Sequence, residues 1–370
     1  MVHNLQWMQA FIERYGVKLA PHGKTTLSPQ LFARQLAAGA WGITLGTAGQ
    51  VRIAHAHGVR RVILANQVVG KANMAILADL LAADPTFECC CLVDSVANVE
   101  ALGAFFQRRG LALRVLLEYG VMGGRTGVRD EAGEQALLAA LSRWPQALKL
   151  VGVELYEGVL QTADAVDGFL QHALARTRAL HAQGAFAEPQ VILSGAGSAW
   201  YDRVAAVWGP ARDELPLDIV LRPGCYLTHD VGIYKAAQAR IDRDNPIAAS
   251  LQGSLLPALQ VWAYVQSRPE PTRVIVALGK RDAAFDAGLP VPSMHYRPGA
   301  EAPGDVPDGW ALTAMMDQHA FLQVPAEADV QVGDLLGFEI SHPCLTFDKW
   351  KHLLLVDDAY RVTGAITTFF

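Results

Sequence analysis

Along the chain, short runs of Val, Ile, Leu and Ala alternate with stretches in which apolar residues return every three or four positions. The runs fall at 17–20, 42–45, 61–65, 88–93, 113–118, 150–155, 190–194 and 217–221. Between them, 95–109, 131–144 and 163–182 carry the period of helices with one buried face. Runs that are apolar at consecutive positions suit strands covered on both sides, the environment of a parallel sheet. Eight strand-and-helix units predict an α/β fold closed as a (β/α)8 barrel. A doubly wound sheet is the alternative, and it seldom shows eight units this even.

Beyond Asp230 the helical period fades. Residues 231–239, 248–265, 273–277, 309–318 and 334–340 read as strands joined by Pro, Gly and Asp turns, and the Pro/Gly-rich stretch 290–307 reads as a long loop. The expected organisation is a barrel over 1–235 and a mainly β domain over 236–370.

Composition narrows the class. The 370 residues suffice for both domains, each with a core. A net charge of −5 without a basic stripe argues against a nucleic-acid partner, and no apolar run reaches membrane-spanning length. The opening residues lack the basic and apolar regions of a signal peptide. Three of the five cysteines are adjacent, Cys89, Cys90 and Cys91, in a strand pattern, which is no disulfide framework. A cytoplasmic, soluble protein is expected.

Candidate chemistry clusters where a barrel places it, at the carboxyl ends of the strands. The first strand breaks at Pro21 and Gly23 and presents Lys24, an amine able to form an imine where its surroundings keep it neutral. A buried setting beside a cation such as Arg125 would do so. Ser194-Gly195-Ala196-Gly197-Ser198 follows the seventh strand, and Arg222-Pro223-Gly224-Cys225-Tyr226 follows the eighth. Small residues on those two loops let backbone N–H groups approach a phosphate. The fifth strand leads through glycines to Arg125, and the sixth ends in Glu154, Tyr156 and Glu157. Asn66, Gln67, Gly46 and Thr47 end the third and second strands, where capping and turn roles compete with a site role. A lysine, an arginine, a tyrosine and two phosphate-suited loops fit pyridoxal 5'-phosphate. In the second domain, His342 and Cys344 stand two apart and would project to one side of an extended chain as zinc donors. Asp317, Gln318, His319, Lys280, Arg281, Asp282 and Asp286 are site candidates that read equally as surface polar residues and loop caps.

With these residues assembled, the chain resembles the fold-type III pyridoxal phosphate enzymes, with an alanine racemase N-terminal-like barrel. The nearest resemblance is to the group of D-serine dehydratase, D-threonine aldolase and D-threo-3-hydroxyaspartate dehydratase. It rests on Pro21-His22-Gly23-Lys24, the glycine loop through Arg125, residues 194–198 and 222–226, and His342-Pro343-Cys344. The resemblance implies an imine on Lys24, with His22, Arg125 and Tyr156 around the cofactor. It places the phosphate on Ser194, Gly195, Gly197, Gly224, Cys225 and Tyr226, and Zn2+ on His342 and Cys344, with Mn2+ or another divalent ion as alternative. In this group the aldolases tend to carry His-x-Asp and the dehydratases His-x-Cys, so Cys344 favours a dehydratase. Family members usually begin with a further segment before the first helix, whereas this sequence opens in a helical pattern at Asn4.

The expected activity is dehydration and deamination of a small D-β-hydroxy amino acid such as D-serine to a 2-oxo acid and ammonia. The alternatives are retro-aldol cleavage, an amino acid racemase with Tyr234 or a partner's tyrosine as second acid, and a non-enzymatic cofactor carrier. A homodimer is expected by analogy with the family.

Overall fold

The computed structural model describes residues 1–370, and their contacts divide the chain into two compact units. One comprises Met8–Lys24 and Leu31–Gly224; the other comprises Met1–Trp7, Thr25–Gln30 and Cys225–Phe370. The division therefore does not follow a single cut in the chain.

The first unit is an eight-stranded parallel sheet. Its strands are β1 (Lys18–Leu19), β2 (Ile43–Leu45), β3 (Arg61–Gln67), β4 (Glu88–Val93), β5 (Leu113–Tyr119), β6 (Leu148–Leu155), β7 (Val191–Gly195) and β8 (Leu217–Leu221). Each pairs in parallel with the next from β2 to β8, and β8 pairs with β1. Trp41 N–H to Leu19 O at 2.7 Å and Thr44 N–H to Pro21 O at 2.9 Å close the seam between β1 and β2. Helices alternate with the strands: α1 (Val2–Tyr15), α2 (Pro29–Ala37), α3 (Ala48–Ala56), α4 (Lys71–Ala83), α5 (Val96–Arg109), α6 (Glu131–Leu141), α7 (Ala163–Ala182) and α8 (Tyr201–Trp208). Their starts are capped as polarity dictates: Thr47, Ser95, Asp130 and Thr162 each accept a backbone N–H from the first turn. Ala20, Ile63, Ala65, Cys90, Leu92, Leu116, Val151, Ile192 and Val220 fill one buried cluster. Successive strand side chains face opposite sides, so Cys90 belongs to this cluster while its neighbours Cys89 and Cys91 point away from it.

The second unit is built on an antiparallel sheet. After α9 (Lys235–Asp244) and α10 (Pro246–Ser250) come β9 (Gln260–Glu270), β10 (Arg273–Val276), β11 (Val291–Tyr296), β12 (Gly304–Asp305), β13 (Ala311–Met315), β14 (Ala320–Gln323) and β15 (Leu335–Glu339). They pair in the order β12-β11-β15-β9-β10-β14-β13. A one-turn helix α11 (Cys344–Phe347) leads to a separate hairpin of β16 (His352–Val356) and β17 (Val362–Thr367). In β9, Val261, Ala263 and Val265 are buried, and Trp262 and Tyr264 between them are less so, the alternation of a sheet with one covered face.

Three expectations for this unit are corrected. Residues 231–239 are not a strand: the Asp230 carboxylate accepts Gly232 and Tyr234 N–H at 2.9 and 3.0 Å, making a turn, and a Lys-Ala-Ala-Gln-Ala-Arg run then forms α9. Residues 248–265 begin as a helix, because Asn245 caps α10 through Ile247 and Ala248 N–H and Pro246 suits its first position. The stretch 290–307 is not one loop: it holds β11 and β12, and Pro292 is accommodated where the β11–β15 register shifts.

Candidate active site

Lys24 lies in the 3₁₀ turn Gly23–Thr25 that follows β1. Gly23 seats that turn, since a Cβ there would come within 2.7 Å of Phe32 and 2.8 Å of Ile43. The lysine stem passes the end of β2, where a Cβ on Gly46 would stand 3.8 Å from its Cδ. Lys24 is exposed, in contrast to the buried setting expected from the sequence.

Around this turn the barrel gathers buried polar groups. His22 bridges to Thr44 at the seam, and its buried Nδ1 has no hydrogen-bond partner. Burial, and then the cations Lys24, Arg222 and Arg125, hold its imidazole well below the usual range, so the ring is neutral. Arg222, at the end of β8, is 2 % exposed and ion-pairs with Glu154 of β6, itself 1 % exposed. Arg222 Nη2 also donates to Leu155 O at 2.8 Å, while its Nε and Glu154 Oε2 are left without partners. Burial pushes the Glu154 carboxyl up to about 7, against the pull of Arg222.

Arg125 stands with its guanidinium 4.8 Å from the centre of the Tyr156 ring, a cation–π contact. Gly127, at φ +98°, folds the Arg125 loop back onto β5, where a Cβ would meet the Tyr119 carbonyl carbon at 2.5 Å. Glu118 is anchored from both sides, accepting Gln67 Nε2 at 2.5 Å and Thr126 Oγ1 at 2.6 Å.

The glycine loop after β7 is held by the chain's own groups. Ser194 and Gly195 are the last residues of the strand, and the fully buried Ser194 hydroxyl donates to Val220 O at 3.1 Å. Ala196 and Gly197 N–H donate to the two oxygens of Glu157 at 3.0 and 2.6 Å. The anion on these amides is thus the chain's own carboxylate, delivered by the 3₁₀ turn Glu157–Val159 after β6. Glu157 is fully buried, and that burial raises its pKa. Gly224 ends the first unit, and Cys225 and Tyr226, both buried, open the 3₁₀ turn Cys225–Leu227 of the second.

Within the second unit, His342 and Cys344 stand two positions apart, but not on extended chain: Pro343 is helical and Cys344 starts α11. One-turn curvature, not strand alternation, brings them to one side. Asp286 Oδ2 lies 2.8 Å from His342 Nδ1, the carboxylate–histidine arrangement that steers the other ring nitrogen toward a ligand. Cys344 Sγ is 3.4 Å from Thr25 Oγ1 and 3.7 Å from Cys225 Sγ. Cys225, then His342 and Thr25, draw the Cys344 thiol down, and Cys344 and Asp286 raise His342. No group of three His, Cys, Asp or Glu side chains is arranged to hold a metal ion, so a metal here would rest on two protein donors with open positions.

The remaining candidates take structural roles. Thr47 caps α3, Asn66 Nδ2 donates to Gly46 O at 2.7 Å, and Asp282 Oδ2 accepts Gly279 N–H at 2.8 Å. Residues 317–319 form the turn between β13 and β14, with Asp317 exposed beside Arg281. What the sequence undervalued are Glu157, seen there only as a carboxylate, and the Cys225–Cys344 approach, for which it held no signal.

Residues 1–229 match the family model described as "Alanine racemase, N-terminal domain", and 258–356 match "Putative serine dehydratase domain". D-threonine aldolase of an Arthrobacter species is 30% identical over 96% of this chain and 86% of its own. The chain belongs to the fold-type III pyridoxal phosphate enzymes. Within that family its relatives are lyases of D-β-hydroxy amino acids. D-threo-3-hydroxyaspartate dehydratase of Delftia sp. (strain HT23) is 33% identical over 48% of this chain and 46% of its own. The fold is that of D-threonine aldolase from Filomicrobium marinum, at a TM-score of 0.79 and 23% identity over 99% of this chain and 91% of that one. Two altered forms of D-threo-3-hydroxyaspartate dehydratase superpose at a TM-score of 0.75, each with 23% identity over 99% of this chain. They cover 94% and 92% of those chains; one is a cysteine-to-alanine form without metal, and the other replaces a histidine two positions earlier.

Proposed function

We propose that this family member is a pyridoxal phosphate- and zinc-dependent dehydratase of a small D-β-hydroxy amino acid, D-serine or one like it, releasing a 2-oxo acid and ammonia. The observation that carries the choice within the family is the placing of His342 and Cys344 about one helical turn, with Asp286 2.8 Å behind the histidine ring. The same spacing of histidine and cysteine is replaced in the altered dehydratases. A thiolate with an imidazole suits Zn2+ ahead of harder cations, with Mn2+ or another divalent ion as alternative. A metal on this pair would supply Lewis acidity toward an oxygen.

The barrel unit suits the cofactor because it offers buried, unpartnered polar atoms, His22 Nδ1, Arg222 Nε and Glu154 Oε2. Lys24 would hold the pyridoxal carbonyl carbon, with His22, Arg125 and Tyr156 about the ring. Ser194, Gly195, Gly197, Gly224, Cys225 and Tyr226 are the residues proposed for the phosphate. A phosphate on the Gly197 amide requires Glu157 to release it. The bound cofactor supplies an electron sink for charge at Cα. Lys24, exposed between the buried Gly23 and Thr25, would take the proton from Cα. His22 stays neutral and so adds no charge at the ring, while Glu154 holds Arg222 in place. A cytoplasmic homodimer belongs to the same reading on the family resemblance alone.

Retro-aldol cleavage is the second reading, favoured by the match to D-threonine aldolase along nearly the whole chain. Incubating the holoenzyme with D-serine, D-threonine and D-threo-3-hydroxyaspartate, with and without a chelator, separates the two. Oxo acid and ammonia, lost with the chelator, are expected; glycine and aldehyde as the sole products would replace dehydratase by aldolase.

A further inference from the structure

We propose that Cys225 and Cys344 form a reversible disulfide, an oxidation site that withdraws Cys344 from its pair with His342. Only the consequence for a bound metal rests on the functional reading above. The two sulfurs are 119 positions apart in the chain and 3.7 Å apart in space. A disulfide spans about 2.05 Å, so a closure of roughly 1.6 Å completes it. Each cysteine begins a single helical turn, Cys225–Leu227 and Cys344–Phe347, so no strand ladder has to break for the sulfurs to meet.

The other cysteines set the contrast. Cys89, Cys90 and Cys91 lie in β4 at 1 %, 3 % and 0 % exposure, and burial pushes their thiols up, to about 12 for Cys90. Cys225 is buried as well, which leaves Cys344 as the one cysteine with intermediate exposure. A small peroxide therefore meets Cys344 first. The Cys344 thiolate attacks one peroxide oxygen; an S–O bond forms, the O–O bond breaks and hydroxide leaves. Cys225 sulfur then attacks Cys344 sulfur, the S–S bond forms, and the hydroxyl departs with the Cys225 proton as water. With the hydroxide taking up the proton that Cys344 had released, two thiols are oxidised and one hydrogen peroxide is reduced to two waters. A dithiol reductant reverses the bond by thiol–disulfide exchange.

The test exposes the metal-free full chain and its Cys225→Ala variant to hydrogen peroxide, followed by intact mass, thiol titration and peptide mapping without reductant. The wild type is expected to lose two thiols, to yield a peptide joining residues 225 and 344, and to regain both thiols in dithiothreitol. Cys225→Ala is expected instead to carry added oxygen on Cys344. Oxygen on Cys344 of the wild type without the cross-link overturns the proposal, and so do unchanged thiols. Elemental analysis of the reduced chain keeps the two ideas apart. The cross-link in a protein that takes up no zinc leaves the disulfide standing and removes the metal reading; zinc uptake without the cross-link does the reverse.

Discussion

The surroundings of Lys24 and those of Cys344 are assembled by opposite means. Lys24, His22, Arg222, Glu154 and Glu118 all sit at or just beyond the carboxyl ends of strands in one repeating sheet. A parallel barrel puts every such end at the same rim, so residues from many repeats converge without any one of them being special. Cys344 is instead met by Thr25, Cys225 and His342, with Asp286 behind the histidine, and none of these lies in a strand. A repeating scaffold makes a site inferable from position. A site assembled from irregular segments depends on each turn separately.

The comparison breaks most visibly at Lys24. Lys24→Ala is expected to lower lyase activity by on the order of a thousandfold or more. It should also abolish borohydride-reducible attachment of pyridoxal phosphate, while leaving the titration of Cys344 untouched. Retained attachment in the variant would remove the lysine from its role.

A smaller effect is expected where the barrel's own polar layer is cut. Arg222→Ala removes the cation that opposes burial at Glu154, so the carboxyl takes up a proton and the cost is that of lost hydrogen bonds, about 1–3 kcal/mol in urea unfolding. Glu154→Gln should cost more, about 3–5 kcal/mol, because it leaves the buried Arg222 guanidinium without a counter-charge and a guanidinium stays protonated. Equal losses from the two variants would mean that packing, not charge, sets the stability there.

The smallest effect sharpens the other side. The Cys344 thiol is depressed from an ordinary 9.0 to about 4. In metal-free protein its thiolate absorbance should therefore persist until the pH falls through about 4. Its contribution to folding is full above the unfolded value and is lost on the same descent. His342, raised from 6.5 to about 9, works in the opposite sense: its contribution is full below 6.5 and is lost as pH rises through about 9. His342→Gln should move the Cys344 transition upward. A transition that stays put would show that Cys225 and Thr25 alone hold the thiolate.

Legibility followed the same division. The strands at 88–93 and 217–221 and the helix at 163–182 lie where hydrophobic pattern placed them, because both faces of a barrel strand are covered and the signal is continuous. The β unit was harder. Its strands are covered on one face, and Pro292 within β11 imitates a loop. The turn at Asp230 and the cap at Asn245 overrode runs that looked extended. Likewise, 342–344 carried two donors in view, but a one-turn helix and not a strand aligns them.

Order along the chain was thus enough to establish eight barrel repeats, the place of Lys24 after the first of them, the glycine loops after the seventh and eighth, and the family. These follow from local periodicity and from short motifs, which a linear chain displays. Folding alone decided that Lys24 is exposed, that Glu157 occupies the Ala196 and Gly197 amides, and that Cys225 lies against Cys344. Each depends on burial or on contact between residues distant in sequence, and neither is a property of any local run of amino acids.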